Sequence, residues 1–80
     1  MNPVSPGQVR DVMLAIPSWA RALPNIADDT PFPDCGMDSL ALLELVSELQ
    51  RVYGVEIPDD DVEKIATIAD TARYLNHRIS

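Results

Sequence analysis

Eighty residues, 46% hydrophobic and 24% charged, make one small globular domain that buries about 60% of its unfolded surface, too little for a large enclosed active site. The formal charge of −7 is unevenly spread: residues 28–63 hold 11 acidic side chains against one cation, Arg51, for −10, while the remainder has two acidic and five basic residues, for +3. Phosphate backbones need the opposite sign, which excludes nucleic acid as a partner, and no segment is long and apolar enough to span a membrane.

The start, Met1-Asn2-Pro3, lacks the basic and apolar regions of a signal peptide, and the single cysteine, Cys35, cannot form an internal disulfide. Both features lead us to expect a cytoplasmic protein. Residues 1–5 read as a flexible lead-in, with Ser5 as N-cap and Pro6 at the first helical position. A first helix is expected from Pro6 to about Ile16, with Val9, Val12, Met13 and Ile16 on one face. Pro17 ends or kinks it, and residues 18–23 add a further turn or two before Pro24.

Residues 24–37 are rich in Pro, Asp and Asn, the composition of a long ordered loop, for which Ile26 and Phe32 are the apolar anchors. Cys35 in this loop reads as a small hydrophobe rather than a reactive thiol. The loop ends at Asp34-Cys35-Gly36-Met37-Asp38-Ser39-Leu40, where the longest apolar-periodic segment begins. Gly36 can take backbone angles closed to other residues, Asp38 can cap the helix, and Ser39 then falls in the first turn. Free N–H groups and the positive end of the helix dipole converge there, a favourable field for a phosphate on Ser39 Oγ. Taken alone, the same residues are equally a simple helix cap.

The second helix, about residues 39–53, carries two apolar sets. Leu42, Leu45, Val46, Leu49 and Tyr53 form a stripe suited to a core. Leu40 and Leu43 lie on the other side, beside Glu44, Ser47 and Arg51, where a surface helix is ordinarily polar, and they make a small docking patch next to the serine. Gly54 stops this helix. Asp59-Asp60-Asp61 after Pro58 opens a short third helix ending near Ile65, the aspartates complementing its dipole; the spacing lacks the alternating ligands of a calcium loop, and no metal site is expected. Thr67-Ile68-Ala69-Asp70 reads as a capping box for a last helix that faces inward through Ala72, Leu75 and Ile79. The one histidine, His77, has neither a partnered nucleophile nor a ligand cluster beside it, so no catalytic residue is expected. The fold class is all-α, a small bundle of three main helices plus a short third helix.

The ordered series Gly36-Met37-Asp38-Ser39-Leu40, the helix after it, Tyr53-Gly54, Glu56-Ile57-Pro58-Asp59-Asp60 and Glu63-Lys64-Ile65 resembles the acyl carrier protein family, from Gly36 to about Leu75 and more loosely back to the first helix. The resemblance implies a single carrier domain over residues 1–80, monomeric and without enzymatic activity. It also implies 4′-phosphopantetheine, donated by coenzyme A, on Ser39, with Asp38 as the cap beside it. Cargo would be an acyl or aminoacyl thioester, and the partners a phosphopantetheinyl transferase, a loading ligase or synthase, and downstream acyl-transferring enzymes. Matching positions give Leu40, Leu43, Glu44 and Ser47 as partner contacts. Gln50 and Arg51 depart from the acidic residues often found there, as the Pro17 region departs from the family's less interrupted first helix. The competing reading is an unmodified helical adaptor that binds its partner through the Leu40/Leu43 face.

Overall fold

The computed structural model describes residues 3–79, and among these no strand occurs. Four α-helices follow in order: α1 (Pro6–Leu14), α2 (Pro17–Ala22), α3 (Ser39–Tyr53) and α4 (Ile68–Ile79). Short 3₁₀ turns lie at Leu23–Asn25, Phe32–Cys35 and Asp59–Lys64.

Ser5 caps α1 through a capping box, its Oγ accepting from Gln8 N while Gln8 Oε1 accepts from Ser5 N. The helix stops at Leu14, two residues earlier than its apolar pattern implies. Pro17 has no N–H to continue the ladder and forces Ile16 into an extended conformation (φ −109°, ψ 112°), so the last turn closes with the tighter bonds Ala15 N to Val12 O and Ile16 N to Met13 O. Pro17 then opens α2 as a separate helix, and Ile16 stays buried as its N-cap residue. All four apolar residues assigned to the first helical face are buried.

The expectation of a flexible lead-in misses an anchor. Val4 is buried, its N–H donating to Asn76 Oδ1 (2.7 Å) and its carbonyl accepting from Asn76 Nδ2 (3.0 Å), which ties the chain before α1 to α4. Met1 and Asn2 of that lead-in lie outside the described residues.

The core is a single cluster formed by α1, α2, the loop anchors Ile26 and Phe32, the inner face of α3, Ile57, Ile65 and α4. Leu45, Val46 and Leu49 of α3 are buried as expected, joined by Ala41. Leu42 and Tyr53 are only half-buried, which corrects the expected stripe: Leu42 forms a wall of an open cleft, and Tyr53 sits where the helix ends at Gly54. Leu49 has no exposed surface, so Leu49→Ala should cost about 2–5 kcal/mol, read as a lower urea midpoint at unchanged slope.

The third helix is a 3₁₀ turn over Asp59–Lys64 that buries none of its residues. Its one apolar residue, Val62, packs half-buried against the core, and the three consecutive aspartates before it leave no second apolar side chain to bury. Thr67 caps α4 as its sequence implies, Oγ1 accepting from Asp70 N at 2.9 Å, and Ala72 and Leu75 are buried while Ile79 packs half-buried against the core.

Candidate functional site

The long loop between α2 and α3 is held at several points. Arg10 of α1 donates from Nη2 to Ile26 O (2.7 Å) and to Asp28 Oδ1 (2.9 Å), while Ala69 N donates to Asp28 O and Phe32 N to Ala66 O, both at 2.9 Å. Phe32 is further fixed by Trp19, whose ring meets it edge-on with centroids 4.8 Å apart. Trp19 Nε1 also donates to Ala41 O at 2.8 Å, within the first turn of α3. Sequence reasoning missed Trp19, although its spacing to Ile16 and Leu23, three before and four after, was the available signal.

This framework sets the start of α3. Gly36 adopts φ +80°, the left-handed turn that ends the loop, and Asp38 is the N-cap, its Oδ1 accepting from Ala41 N at 2.9 Å while its carbonyl accepts from Leu42 N at 3.0 Å. Ser39 is the first residue of the helix and is exposed. Its own N–H and that of Leu40 fall outside the helix's internal ladder, so the hydroxyl stands beside free donors at the positive end of a 15-residue helix. An exposed hydroxyl on an immobilised first turn fits a phosphodiester linkage there, because the donors offset the added charge and nothing has to move to admit it.

Beside Ser39 lies an apolar cleft of about 290 Å³ walled by Phe32, Pro33, Met37, Leu42, Ile65 and Ala66, with Glu63 on its rim. The sequence did not give Met37, Glu63 or Ala66 a place here. The 3₁₀ turn that borders this cleft is tied to α4 by Tyr74 Oη, which donates to Asp61 Oδ2 at 2.6 Å, and Lys64 pairs with the same carboxylate. The Tyr74 hydrogen bond, followed by that of Lys64, holds the Asp61 carboxyl below the usual carboxylate range. A folded-state pKa below the unfolded one contributes stability above the unfolded pKa that is lost as pH falls through the folded value. Tyr74→Phe should therefore lower the thermal midpoint at pH 7, and the gap from wild type should shrink on acidification towards pH 3; an equal gap at both pH values would contradict this link.

Leu40, Leu43, Glu44 and Ser47 occupy one exposed face and line one groove of about 440 Å³, with Leu40 66% and Leu43 50% exposed. Arg21 of α2, outside the acidic stretch in sequence, lines a neighbouring concavity with Asp38 and Glu44. The acidity around the serine is thus less uniform in space than along the chain. Cys35 is half-buried, its Sγ donating weakly to Pro31 O at 3.6 Å.

Residues 15–75 match the protein family described as "Phosphopantetheine attachment site". The chain is also 37% identical over 70 residues to an acyl carrier protein of Chloroherpeton thalassium, covering 86% of this chain and 85% of that relative. The chain belongs to the acyl carrier protein family. Its cofactor is accordingly 4′-phosphopantetheine, and the molecule is a carrier rather than a catalyst or an unmodified adaptor. The carrier works with enzymes that modify it and handle its acyl group. When bound, the group supplies a thiol at the end of a long arm, on which cargo is held as a thioester. The carrier's own structure supplies attachment, a rigid first turn and recognisable surfaces.

Proposed function

We propose that Ser39 is the residue to which 4′-phosphopantetheine is joined and that the surrounding surface presents the loaded arm to partner enzymes. The observation that carries this reading is the exposed Ser39 hydroxyl on a helix start immobilised by Asp38 and by the Trp19–Ala41 bond. Asp38 acts as the positioning residue: its carboxylate is occupied by Ala41 N, so it fixes the turn and leaves the Ser39 oxygen open to attack on an incoming phosphoryl group. The modifying partner is a phosphopantetheinyl transferase. The others are an acyl- or aminoacyl-loading enzyme and downstream acyl-transferring enzymes. The carrier acts as a monomer in the cytoplasm, since a net −7 disfavours pairing of two copies. Peptide mass mapping after incubation with coenzyme A and a transferase tests the attachment reading: the arm belongs on the peptide containing Ser39.

Partner docking combines steering by the acidic region with contact through Leu40, Leu43, Glu44 and Ser47. Surface charges act over about 8 Å at physiological salt and set the association rate, whereas apolar contacts set the lifetime of the complex. Glu44→Lys should slow association of the arm-bearing carrier with a loading enzyme, and Leu43→Ala should speed dissociation, with the fold intact in both. Stopped-flow binding at two salt concentrations reads both rates. Association indifferent to salt and to Glu44→Lys would reduce the acidity to a solubility device, and unchanged dissociation in Leu43→Ala would remove that face from docking.

A further inference from the structure

The groove beside Ser39 has a second wall that does not come from α3. Ala15, Ile16 and Pro17, the elbow where α1 breaks into α2, face Leu40, Leu43, Glu44, Ser47 and Glu48 across it. The elbow exists because Pro17 cannot continue α1, and its geometry holds Ala15 (φ −78°, ψ −10°) and the Pro17 ring exposed at the groove while Ile16 turns into the core. A continuous helix would carry these residues past α3 without forming this notch.

We propose that the Ala15–Pro17 elbow is a specificity-determining wall that, with α3, clasps an aliphatic or aromatic side chain flanked by Lys or Arg on the arm-transferring enzyme. The inference rests on Ser39 being the attachment residue. Three features identify the occupant. The floor is apolar, from Ala15, Pro17, Leu40 and Leu43. The rim is acidic: Glu44 makes no ion pair among the described residues, and Glu48 is paired only with the exposed Arg51 of its own helix, so a cationic neighbour is favoured. A second copy of this chain brings the same negative sign and is disfavoured. Leu40, adjacent to Ser39, forms one end of the groove, so an enzyme seated there has its reacting centre near the Ser39 oxygen; enzymes that act at the far end of a long arm have no such requirement.

The test fills the notch without altering charge. Ala15 is exposed and in ordinary helical conformation, so Ala15→Trp should fold while obstructing the groove. Loading by a phosphopantetheinyl transferase with coenzyme A is followed by intact mass across carrier concentrations. The expected result is a KM for the carrier raised about tenfold, equivalent to about 1.4 kcal/mol of lost docking, with kcat unchanged. Salt dependence should persist in Ala15→Trp, where the charges remain, and weaken in Glu44→Gln. Leu14→Ala, at the exposed last residue of α1 just before the elbow and not lining the groove, should match wild type. If circular dichroism shows Ala15→Trp misfolded, Pro17→Ala, which removes one wall, carries the same expectation of a raised KM. A folded Ala15→Trp that loads with wild-type KM overturns the elbow's role and leaves attachment at Ser39 intact, whereas a wild type that takes no arm overturns both. Sedimentation showing a wild-type dimer abolished by Ala15→Trp would make the groove an interface between copies and overturn the proposal.

Discussion

Trp19→Ala is expected to cost about 3–5 kcal/mol, most of the stability available to a domain of this size. The indole is wholly buried, packs edge-on against Phe32, and donates to Ala41 O, so the substitution removes apolar burial, an aromatic pair and a buried hydrogen bond together. Trp19→Phe should lose less, because it keeps most of the apolar contact and forfeits chiefly the N–H donor, a net of about 0.5–1.5 kcal/mol plus the missing ring volume. Urea unfolding followed by circular dichroism separates the two. A loss below about 1 kcal/mol for Trp19→Ala would mean that the site relaxes into the space, contrary to the packing described.

The consequence extends to function, because Trp19 bonds to the first turn of α3, two residues beyond Ser39. A destabilised Trp19 variant should therefore load more slowly, and a stabilising osmolyte should recover part of that loss by restoring the folded population.

Periodicity and cap chemistry made α3 legible to its end residues. Asp38 before the apolar run and Gly54 after it are strong local signals, and the structure has the helix at Ser39–Tyr53 with both caps in place. The Thr67 cap of α4 was readable for the same reason. The end of α1 was not, because Ile16 continues the helical spacing while its backbone is set by the proline after it. Local pattern names the residue that will be buried; it does not say whether helix or elbow buries it. Val4 escaped notice because its partner, Asn76, is 72 residues away, and hydrogen bonds at that separation leave no local trace.

The candidate site divides the same way. Ser39, Asp38 and the Leu40/Leu43 face belong to one helix and follow from its spacing. The cleft residues Glu63 and Ala66, the elbow wall and Arg21 come from other elements, and only the folded chain brings them to the serine. Leu42 shows how the two interact: it lies on the core side of the helical wheel, yet it borders an open cleft whose other walls, among them Phe32, Pro33, Ile65 and Ala66, come from outside α3.

Ser39→Ala tests the account most directly. Alanine is a good helix former and Asp38 still caps the turn, so stability should stay within about 0.5 kcal/mol of wild type and any loss of loading reports on the hydroxyl alone. With coenzyme A and a phosphopantetheinyl transferase, intact mass should show one arm added to wild type and none to Ser39→Ala, although Ser5, Ser18, Ser47 and Ser80 remain. An arm still present on Ser39→Ala, or none on wild type under conditions that load another carrier, would contradict attachment at Ser39.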